Sequence, residues 1–516
     1  MDFRDSLRLS AKKFPEKDCV VFEDERFTYR QTKERVNRLA EALRKLGIRK
    51  GDRIGILQVN CHQYVECLYA SAQIGAIFVP VNFRLKSEEI QYIINQAAMS
   101  ALFLGERYIE IVRSIRGKIP TVRRYICLET KAPGMLFYED LIKSSPDREV
   151  TEKVKSRDIV IILYTSGTTG LPKGAMLSYH AFHHLALSCI ISLKIDHNDA
   201  VMGGGPLYHV GTLGYLIPTL YIGATWVMLR QFDVQEVLKI IQKEKVTVCW
   251  LAPAMINFIL QFPQIKNYEL RSLRLIQYGG APMPPQVLKN AMEVLRCKFS
   301  QIYGLTEAVP QTFLDPEDHV YKGPEEKVKR LASIGRVAPN VDLRIVDDKD
   351  KDVPIGEIGE IICQCDTVME GYWRKPKESR QTLKGGWLHT GDLARRDAEG
   401  YIYLVDRKKD MIIRGGENIY PAEIERVLYE HPKVGEAAVI GIPDETWGES
   451  VKAIIVLKRG EQAKEEEIIQ YCKERLASYK KPTSVDFIEA LPRTSGGKVL
   501  KTTLRSKFWE GREKKI

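Results

Sequence analysis

The pattern of apolar and polar positions alternates between two periods through the first hundred residues. Residues 32–46 carry apolar side chains at helical spacing, and Gly47 follows as a stop signal. The string DRIGILQVN then predicts a strand, residues 62–74 a second helix, and GAIFVPVN a second strand. Residues 86–104 repeat this cycle. Strands that alternate with helices predict a parallel sheet covered by helices, which is the α/β class.

The pattern changes in the last third of the chain. Residues 331–410 contain short apolar runs, LRIVD, GEIICQC and YIYLVDR, that predict a β-rich subdomain. The charged run 407–410 separates it from a helix that opens at Pro421, two strands, a helix over residues 464–476 and a last strand. We therefore predict a large body of parallel α/β subdomains with a β-rich subdomain, followed by a small α+β domain: residues 1–408 and 409–516.

Composition narrows the class of protein. A chain of 516 residues is too long for one core, and 44% hydrophobic with 28% charged residues is typical of a globular protein. The net charge is +11, but basic residues alternate with acidic ones, so we expect no nucleic-acid partner and favour anionic substrates. No leader and no membrane-spanning run is visible, which predicts a cytoplasmic protein. Peripheral membrane contact and a homodimer remain open.

Ten cysteines are spread along the chain in mostly apolar contexts. Cys363 and Cys365 form a C-x-C pair within a strand-like run, and no second pair completes a metal site. We expect reduced thiols in the core.

The most unusual stretch is YTSGTTGLPKG at residues 164–174, which follows an apolar run at 158–163. Glycines let a backbone approach a bulky anion, hydroxyls donate to phosphate oxygens, and Lys173 adds positive charge. Residues 181–193 predict a helix whose N-terminus would add to the anion site. The composition therefore predicts a loop that binds a polyphosphate.

This stretch has two other interpretations. A cluster of glycine, serine and threonine after a strand is often only a turn. A Walker-type loop needs Gly-Lys before Ser or Thr, whereas here the order is Lys173-Gly174 after Pro172. The whole string resembles the phosphate loop of the adenylate-forming enzymes, which include acyl-CoA synthetases, peptide-synthetase adenylation domains and luciferases. The resemblance implies ATP contacts from Thr165, Ser166, Gly167, Thr168, Thr169, Gly170 and Lys173.

Further motifs support this resemblance. The string LRLIQYGGAPMP ends in a turn that can present flat backbone to a nucleobase, and QIYGLTEA offers an aromatic face, a hydroxyl and a carboxylate suited to Mg²⁺. The family has counterparts at the adenine, the α-phosphate and the metal. The resemblance thus implies adenine contacts from Gly280, Ala281, Pro282, Tyr303 and Gly304, and phosphate and Mg²⁺ contacts from Thr306 and Glu307.

The C-terminal third adds two more motifs. In GWLHTGDLARRDAEGYIYLVDRKKD, the carboxylate of Asp392 can accept both ribose hydroxyls, and Arg407 can pair with ribose or phosphate; alone, Thr-Gly-Asp would indicate only a turn. In LPRTSGGKVLKTTL, a loop lysine such as Lys498 is normally only solvated. The resemblance implies that Lys498 reaches the active site as a catalytic residue, with a hinge at Lys409 and Gly415-Gly416 lining the pantetheine tunnel.

The acyl pocket is the least defined part of the prediction. A lone histidine in an apolar run is often a core residue, but PLYHVGT resembles the motif that borders the acyl pocket, which implies a pocket or gate role for His209. The segments that the resemblance places around this pocket contain one acidic residue, Glu307, and no lysine or arginine. An apolar, aliphatic or alicyclic monocarboxylic acid is therefore expected. Trp226, Met255 and Phe258 could each close its far end, or belong to the core.

The resemblance covers nearly the whole chain and implies a large α/β body followed by a mobile lid. It also implies ATP-dependent activation of a small carboxylic acid as acyl-AMP, with Mg²⁺, and then transfer of the acyl group to coenzyme A. Two alternatives remain: an enzyme that loads a separate carrier protein, and a non-catalytic paralogue that binds acyl groups or nucleotides.

Overall fold

The computed structural model describes residues 2–165, 171–493 and 499–510. Its helices are α1 Arg4–Lys13, α2 Tyr29–Lys45, α3 Gln63–Gln73, α4 Ser87–Ala97, α5 Ile109–Ile115, α6 Tyr138–Ser144, α7 Tyr179–Leu193, α8 Val210–Ile222, α9 Val234–Glu244, α10 Pro253–Leu260, α11 Pro285–Leu295, α12 Glu325–Lys329, α13 Pro376–Thr382, α14 Pro421–Tyr429, α15 Glu465–Lys473 and α16 Lys501–Trp509.

The strands are numbered in the same way. They are β1 Asp18–Phe22, β2 Glu25–Thr28, β3 Arg53–Leu57, β4 Ile77–Pro80, β5 Ala101–Leu104, β6 Arg124–Cys127, β7 Leu136–Phe137, β8 Ile159–Thr165, β9 Lys173–Ser178, β10 Ala200–Gly203, β11 Thr225–Met228, β12 Val248–Leu251, β13 Leu275–Gly279, β14 Lys298–Leu305, β15 Ala308–Leu314, β16 Arg336–Val337, β17 Val341–Val346, β18 Gly359–Cys365, β19 Leu383–Lys384, β20 Trp387–Arg396, β21 Ile402–Arg407, β22 Ile412–Arg414, β23 Glu417–Ile419, β24 Val434–Asp444, β25 Gly448–Leu457 and β26 Ser484–Phe487.

The chain forms two compact units. The first comprises residues up to Asp342 together with 363–388, and the second comprises 343–362 together with the residues from His389 onward. The boundaries fall within β17, β18 and β20. The division predicted between residues 408 and 409, with its hinge at Lys409, stays a prediction.

A seven-stranded sheet in the first unit has the order β7-β6-β5-β3-β4-β8-β9. Its strands are parallel except for the pair β8–β9. Strands that are buried on both faces need apolar side chains throughout, and this explains the continuous run at 160–163, all of which is buried. Helices α4 and α5 pack on this sheet through Ile94 and Val112.

A nine-stranded sheet in the same unit has the order β16-β15-β14-β13-β12-β10-β11-β1-β2. The strands from β14 through β1 are parallel, and the outer pairs are antiparallel. Because parallel strands end at the same edge, the segments after β10, β12, β13 and β14 meet there. Binding sites of open α/β sheets usually form at this edge. Three of the motifs predicted to contact nucleotide or acyl group lie there: PLYHVGT, LRLIQYGGAPMP and QIYGLTEA.

In the second unit, residues 392–396 of β20 pair with β21, and a separate sheet has the order β23-β22-β25-β24 with β26 beside β25. Helices α14 and α15 cover the latter sheet through Leu428 and Ile468, which share a core with Val439 and Ala453. This arrangement confirms the α+β pattern predicted after residue 420.

The structure confirms an α/β protein with a large N-terminal body and a small C-terminal domain. All ten cysteines are free thiols, and eight of them are buried, which confirms the prediction of reduced core residues. None of the helices in the described segments combines the length and hydrophobicity needed to cross a bilayer.

Candidate active site

The predicted phosphate loop connects two antiparallel strands. Thr165 at the end of β8 pairs with Lys173 at the start of β9, and the Thr165 hydroxyl donates to the Lys173 carbonyl at 3.4 Å. Both ends of the loop are thus held side by side, and the half-buried Lys173 lies at its exit. The predicted contacts Ser166, Gly167, Thr168, Thr169 and Gly170 lie outside the described residues.

The expectation that the next helix supports this loop is wrong. Strand β9 lies between the loop and α7, and its last residue, Ser178, pairs with Ile159 at the opposite end of the hairpin. The side chain of Ser178 caps α7 itself by accepting from the Ala181 N–H at 3.2 Å. A strand rises about 3.3 Å per residue, so the six residues of β9 separate the N-terminus of α7 from the loop by the length of that strand.

A segment at residues 369–373 lies along the other edge of β9. The Met176 N–H donates to the Gly371 carbonyl at 2.9 Å, and the Trp373 N–H donates to the Gly174 carbonyl at 2.8 Å. Gly371 has a φ of +124°, a value that side chains rarely permit. These backbone bonds fix the position of the residue between them, Tyr372.

Tyr372 links two of the predicted site residues. Its hydroxyl donates to Glu307 Oε1 at 2.6 Å, and Lys173 Nζ lies 5.3 Å from the centre of its ring. Burial and the neighbouring Glu307 carboxylate raise the pKa of Tyr372, so its hydroxyl keeps its hydrogen and remains a donor. Tyr372 was not predicted from the sequence, where its only local signal is the aromatic pair after Gly371 in EGYW.

Glu307 lies at the turn between β14 and β15. Leu305 pairs with Ala308, so Thr306 and Glu307 form the two-residue connection. The Glu307 carbonyl accepts from the Met369 N–H at 2.8 Å, which adds a backbone contact to the same segment. The carboxylate is half-buried, and one oxygen ligand of this kind fits Mg²⁺, which binds proteins through one or two carboxylates plus substrate phosphates.

The predicted adenine-binding backbone lies at the ends of β13 and β14. Gly279 pairs with Ile302, and a Cβ at Gly279 would lie 2.3 Å from the Ile302 carbonyl oxygen, so only glycine permits this approach. Tyr303, the next residue on β14, is buried, and Gly304 is half-buried. The turn beyond β13 starts at Gly280 with a φ of +78°; Gly280 and Pro282 are exposed and Ala281 is half-buried.

His209 stands at the start of α8, where its carbonyl accepts from the Thr212 N–H. Its ring is half-buried and lies 4.5 Å from the ring of Tyr208, which in turn contacts Phe83. The structure thus places His209 beside aromatic side chains at the edge where the strands end. Its gate role stays a prediction.

Trp250 on β12 is a second residue that the sequence analysis missed. Its indole fills the space beside two glycines: a Cβ at Gly211 would lie 2.8 Å from it and a Cβ at Gly205 3.0 Å. A Cβ at Gly280 would be 4.0 Å away. Trp250 therefore lies beside Gly211 and Gly280, which belong to the segments 206–215 and 278–284 predicted to border the acyl pocket, and directly precedes a third such segment, 251–258. Phe258, in contrast, is 54% exposed, so the expectation that it closes the pocket or belongs to the core is wrong.

Three buried polar atoms near Trp250 have no hydrogen-bond partner among the described residues. They are Trp250 Nε1, Thr212 Oγ1 and the Tyr215 hydroxyl. The Tyr215 and Trp250 rings lie 6.1 Å apart, and a Cβ at Gly205 would lie 2.7 Å from Thr212 Oγ1. A buried polar group without a partner costs about 1–3 kcal/mol, so such a group marks a place where a ligand or water can bind.

In the second unit, Asp392 and Arg407 form an ion pair. They are directly opposite each other on β20 and β21, and Arg407 Nε lies 2.9 Å from Asp392 Oδ1. Asp392 is 4% exposed, so its carboxylate is held in one position. The structure thus brings together the two residues predicted to contact ribose, although that role stays a prediction.

Gly415 and Gly416 form the turn of the β22–β23 hairpin. Their φ values are +59° and +87°, as in the two-residue turns that join antiparallel strands. A Cβ at Gly415 would lie 2.7 Å from the Trp447 side chain, so glycine lets the tryptophan pack against the turn. Both glycines are exposed.

Of the two lysines predicted in this unit, the structure describes one. Burial lowers the pKa of Lys409 to about 8, and its carbonyl accepts from Arg505 at 3.2 Å. Arg505 also forms an ion pair with Asp410 at 2.7 Å. Lys498 lies outside the described residues.

Comparison with known families agrees with this arrangement. The family described as AMP-binding enzyme matches residues 7–373, and the AMP-binding enzyme C-terminal domain matches residues 423–498. The chain belongs to the AMP-binding enzymes. Members of this family form adenylates, and the resemblance found in the motifs is confirmed over most of the chain.

Relatives of this AMP-binding enzyme act on different acids. A feruloyl-CoA synthase from Amycolatopsis sp is 35% identical over 501 residues, which is 96% of this chain and 97% of that one. A fatty acid–[acyl-carrier-protein] ligase, ScoC of Streptomyces coeruleorubidus, is 34% identical over 98% of this chain and 96% of its own.

Among solved structures, the anthranilate CoA ligase AuaEII in complex with anthranoyl-AMP superimposes with a TM-score of 0.90. It is 29% identical, and the match covers 98% of this chain and 97% of that one. The chain is thus an adenylate-forming enzyme related to the acyl-CoA ligases.

Proposed function

We propose that this AMP-binding enzyme uses ATP to activate a monocarboxylic acid whose acyl part carries no charge. It then transfers the acyl group to coenzyme A. The first step is supported by three neighbouring residues. Lys173 lies at the exit of the phosphate loop and Glu307 lies just after β14. Tyr372 donates to Glu307, and its ring lies beside Lys173. Cation, donor and carboxylate stand within one region of the first unit. Such a set suits a reaction in which highly charged phosphates must be held and stabilised.

Each residue has a distinct task in this proposal. Lys173 offsets negative charge on the phosphates, Glu307 would hold Mg²⁺, and Tyr372 keeps the Glu307 carboxylate oriented. Mg²⁺, when bound, supplies further neutralisation of phosphate charge. Asp392, held in position by Arg407, would accept the ribose hydroxyls, because one carboxylate can accept several hydrogen bonds. Lys498 would bring the substrate carboxylate and the α-phosphate together.

The chemistry needs no protein nucleophile. A carboxylate oxygen of the substrate attacks the α-phosphorus, the bond to the leaving pyrophosphate breaks, and acyl-AMP forms. The CoA sulfur then attacks the acyl carbon, the thiol proton passes to solvent, and the bond from the acyl carbon to the AMP oxygen breaks, which leaves a thioester and AMP. Eight of the ten cysteines are buried, and neither step requires a cysteine.

The acyl part of the substrate is proposed to be uncharged. The segments 206–215, 251–258, 278–284 and 303–312 contain one acidic residue, Glu307, and no lysine or arginine. Burying an ammonium group without a carboxylate partner costs several kcal/mol, which disfavours amino acids. An aliphatic or ring-bearing acid gains about 0.8 kcal/mol for each buried methylene.

A second candidate substrate class follows from the polar atoms around Trp250. The indole nitrogen, Thr212 Oγ1 and the Tyr215 hydroxyl are buried donors without partners among the described residues. An aliphatic tail would leave all three unsatisfied, whereas a ring with hydroxyl, methoxy or keto oxygens could accept from them. We therefore favour a ring-bearing acid with hydrogen-bond acceptors over an unsubstituted chain.

A pyrophosphate-release assay tests both parts of the substrate proposal: that the acyl part is uncharged, and that it is a ring with hydrogen-bond acceptors. The panel contains hexanoate, octanoate, cyclohexanecarboxylate, benzoate, 4-methoxybenzoate and several amino acids, each with ATP and Mg²⁺. We expect release with ring acids, highest for the substituted ring, and little with amino acids. Preferred use of amino acids would contradict the uncharged pocket, and equal rates for benzoate and 4-methoxybenzoate would contradict the acceptor argument.

The acyl acceptor is tested separately with the best acid of the panel. If CoA is the acceptor, adding it produces acyl-CoA and AMP in equal amounts and releases bound acyl-AMP. An enzyme that loads a carrier protein would make acyl-AMP and ignore CoA. A non-catalytic paralogue would bind ATP without releasing pyrophosphate from any acid.

A further inference from the structure

Three potential metal ligands meet on the first unit, away from Tyr372 and Glu307. His180 and His184 are four residues apart on α7, so both rings lie on one face of the helix. Asp366, just beyond β18, lies between them: Oδ1 is 2.8 Å from His180 Nε2, and Oδ2 is 3.4 Å from His184 Nδ1. The ligand atoms of all three residues lie within 4.8 Å of one another.

Without a metal, His180 Nε2 and Asp366 Oδ1 form a hydrogen bond at 2.8 Å, which a bound ion would replace. With metal–ligand bonds of about 2.0–2.1 Å, tetrahedral ligand atoms stand about 3.3 Å apart, so small side-chain shifts bring all three residues to an ion. Imidazole nitrogen with a carboxylate oxygen is a ligand set of zinc and related ions, whereas Mg²⁺ and Ca²⁺ prefer oxygen alone. The side chains are 27%, 25% and 44% exposed, which leaves room for water as a remaining ligand.

We propose that His180, His184 and Asp366 form a binding site for a divalent transition-metal ion of the zinc class. The site joins α7 to the segment that starts at Asp366 and runs along β9. Three residues after Asp366, Met369 donates to the Glu307 carbonyl, and Tyr372 follows. A bound ion therefore fixes the beginning of the segment that positions Glu307.

Neighbouring polar residues define the limits of the site. His183, also on α7, has its Nδ1 3.3 Å from the Tyr221 hydroxyl and does not belong to the set. Glu370, the nearest acidic residue along the segment, forms an ion pair with Arg157. The adjacent His183 thus offers a matched control for substitutions of His184.

The experiment uses full-length protein without a histidine tag, treated with EDTA and then dialysed. Co²⁺ is added while the visible spectrum is recorded, because imidazole and carboxylate ligands in tetrahedral geometry give intense bands. Zn²⁺ is then titrated by calorimetry into wild type, His184→Asn, Asp366→Asn and His183→Asn. Circular dichroism without metal confirms that each variant is folded before its affinity is compared.

We expect one high-affinity Zn²⁺ per chain in wild type and in His183→Asn. Loss of a residue that merely supports a ligand costs about 10–100-fold in metal affinity, so His184→Asn and Asp366→Asn should lose at least as much. Zn²⁺ should also slow amide hydrogen exchange at 366–373 in wild type but not in Asp366→Asn. Equal affinity in all four proteins, no binding by wild type, or unchanged exchange would each overturn the proposal.

Discussion

Tyr372 donates its hydroxyl hydrogen to Glu307 across 65 positions of sequence, at an oxygen–oxygen distance of 2.6 Å. The backbone of the same segment donates to the Glu307 carbonyl through Met369. Glu307, at the tip of a hairpin, is thereby held at two points: its carboxylate by Tyr372 and its backbone by Met369. The ion pair usually invoked to orient a carboxylate is replaced here by a neutral hydroxyl, which leaves the negative charge available to a cation.

Replacing Tyr372 with phenylalanine removes this donor and keeps the ring beside Lys173. A hydrogen bond to a charged group contributes about 1.5–3 kcal/mol, so pyrophosphate release should slow at least about tenfold. The Mg²⁺ concentration for half-maximal rate should rise as well, because the carboxylate loses its fixed orientation. Steady-state rates over a Mg²⁺ series measure both effects.

Tyr268→Phe serves as the control, since Tyr268 is a half-buried tyrosine packed on Phe262 in the same unit. It should leave the rate and the Mg²⁺ dependence unchanged. If Tyr372→Phe behaves like this control, the bond to Glu307 has no part in the reaction.

Local sequence pattern was sufficient to predict the helices and strands whose hydrophobic periodicity is clear. The helix predicted over residues 32–46 is α2, Tyr29–Lys45, and the strands and helices after Pro421 occur as predicted. Strand β9 was missed because KGAMLS is short and lacks alternation. It is a strand because β8 and the segment at 369–373 supply backbone partners on both sides, and such partners leave no local signal.

Site residues could be predicted only where they belong to a recognisable sequence motif. Glu307 and Asp392 were named from their strings, but Tyr372 was not, since its role depends on a contact formed far along the chain. Trp250 was missed for the same reason: the glycines that make room for its indole, Gly205 and Gly211, lie on another strand–helix connection. Packing partners of this kind follow from the sheet order, not from local pattern.

Trp250→Phe tests whether the indole nitrogen contributes to substrate choice. The ring remains to fill the space beside Gly211, but the donor is lost. If the nitrogen donates to a ring substituent, the preference for 4-methoxybenzoate over benzoate should fall about fivefold, the value of roughly 1 kcal/mol. Values of kcat/KM for both acids give this ratio.

The exposed Phe258 provides the matching control, and Phe258→Ala should leave the ratio as it is in wild type. A Trp250→Phe enzyme with an unchanged ratio and an unchanged kcat/KM would show that Trp250 lies outside the acyl pocket.

His319 makes the stability of the protein depend on pH. Burial lowers the pKa of His319 to about 4. Its ring is hydrogen-bonded to the Tyr278 hydroxyl through Nε2 at 3.1 Å and to the Asp315 carbonyl through Nδ1 at 2.8 Å. The unfolded chain, in which histidine has its ordinary pKa, binds more protons between pH 4 and 6.5. The free energy of unfolding should therefore fall as the pH is lowered through this range, by about 2 kcal/mol at pH 4.5.

Thermal unfolding at two pH values checks this sign. His319→Gln removes the titrating ring, so the variant should lose less stability than wild type between pH 6.5 and pH 4.5. His197→Gln changes an exposed histidine and should follow wild type. Parallel losses in all three proteins would show that burial of His319 does not govern acid stability.

We predict that Lys498 is needed for the first half-reaction but not for the second. In the proposed first step two anions, the substrate carboxylate and the α-phosphate, must approach each other, and a lysine between them offsets their repulsion. In the second step a neutral thiol attacks a mixed anhydride that has already formed, so this need disappears. Lys498→Ala should therefore slow pyrophosphate release by about 10²–10³-fold or more.

The same variant, supplied with synthetic acyl-AMP and CoA, should form the thioester at nearly the wild-type rate. Lys473→Ala, at an exposed lysine of α15, controls for a general loss of positive charge and should be normal in both assays. Lys498→Arg tests whether positive charge is sufficient without the geometry of the lysine side chain. If charge alone is required, arginine should restore part of the first step, because guanidinium remains protonated at any assay pH. Equal loss of both half-reactions in Lys498→Ala would assign this lysine to binding of the nucleotide in general, since acyl-AMP and ATP share the adenosine and the α-phosphate.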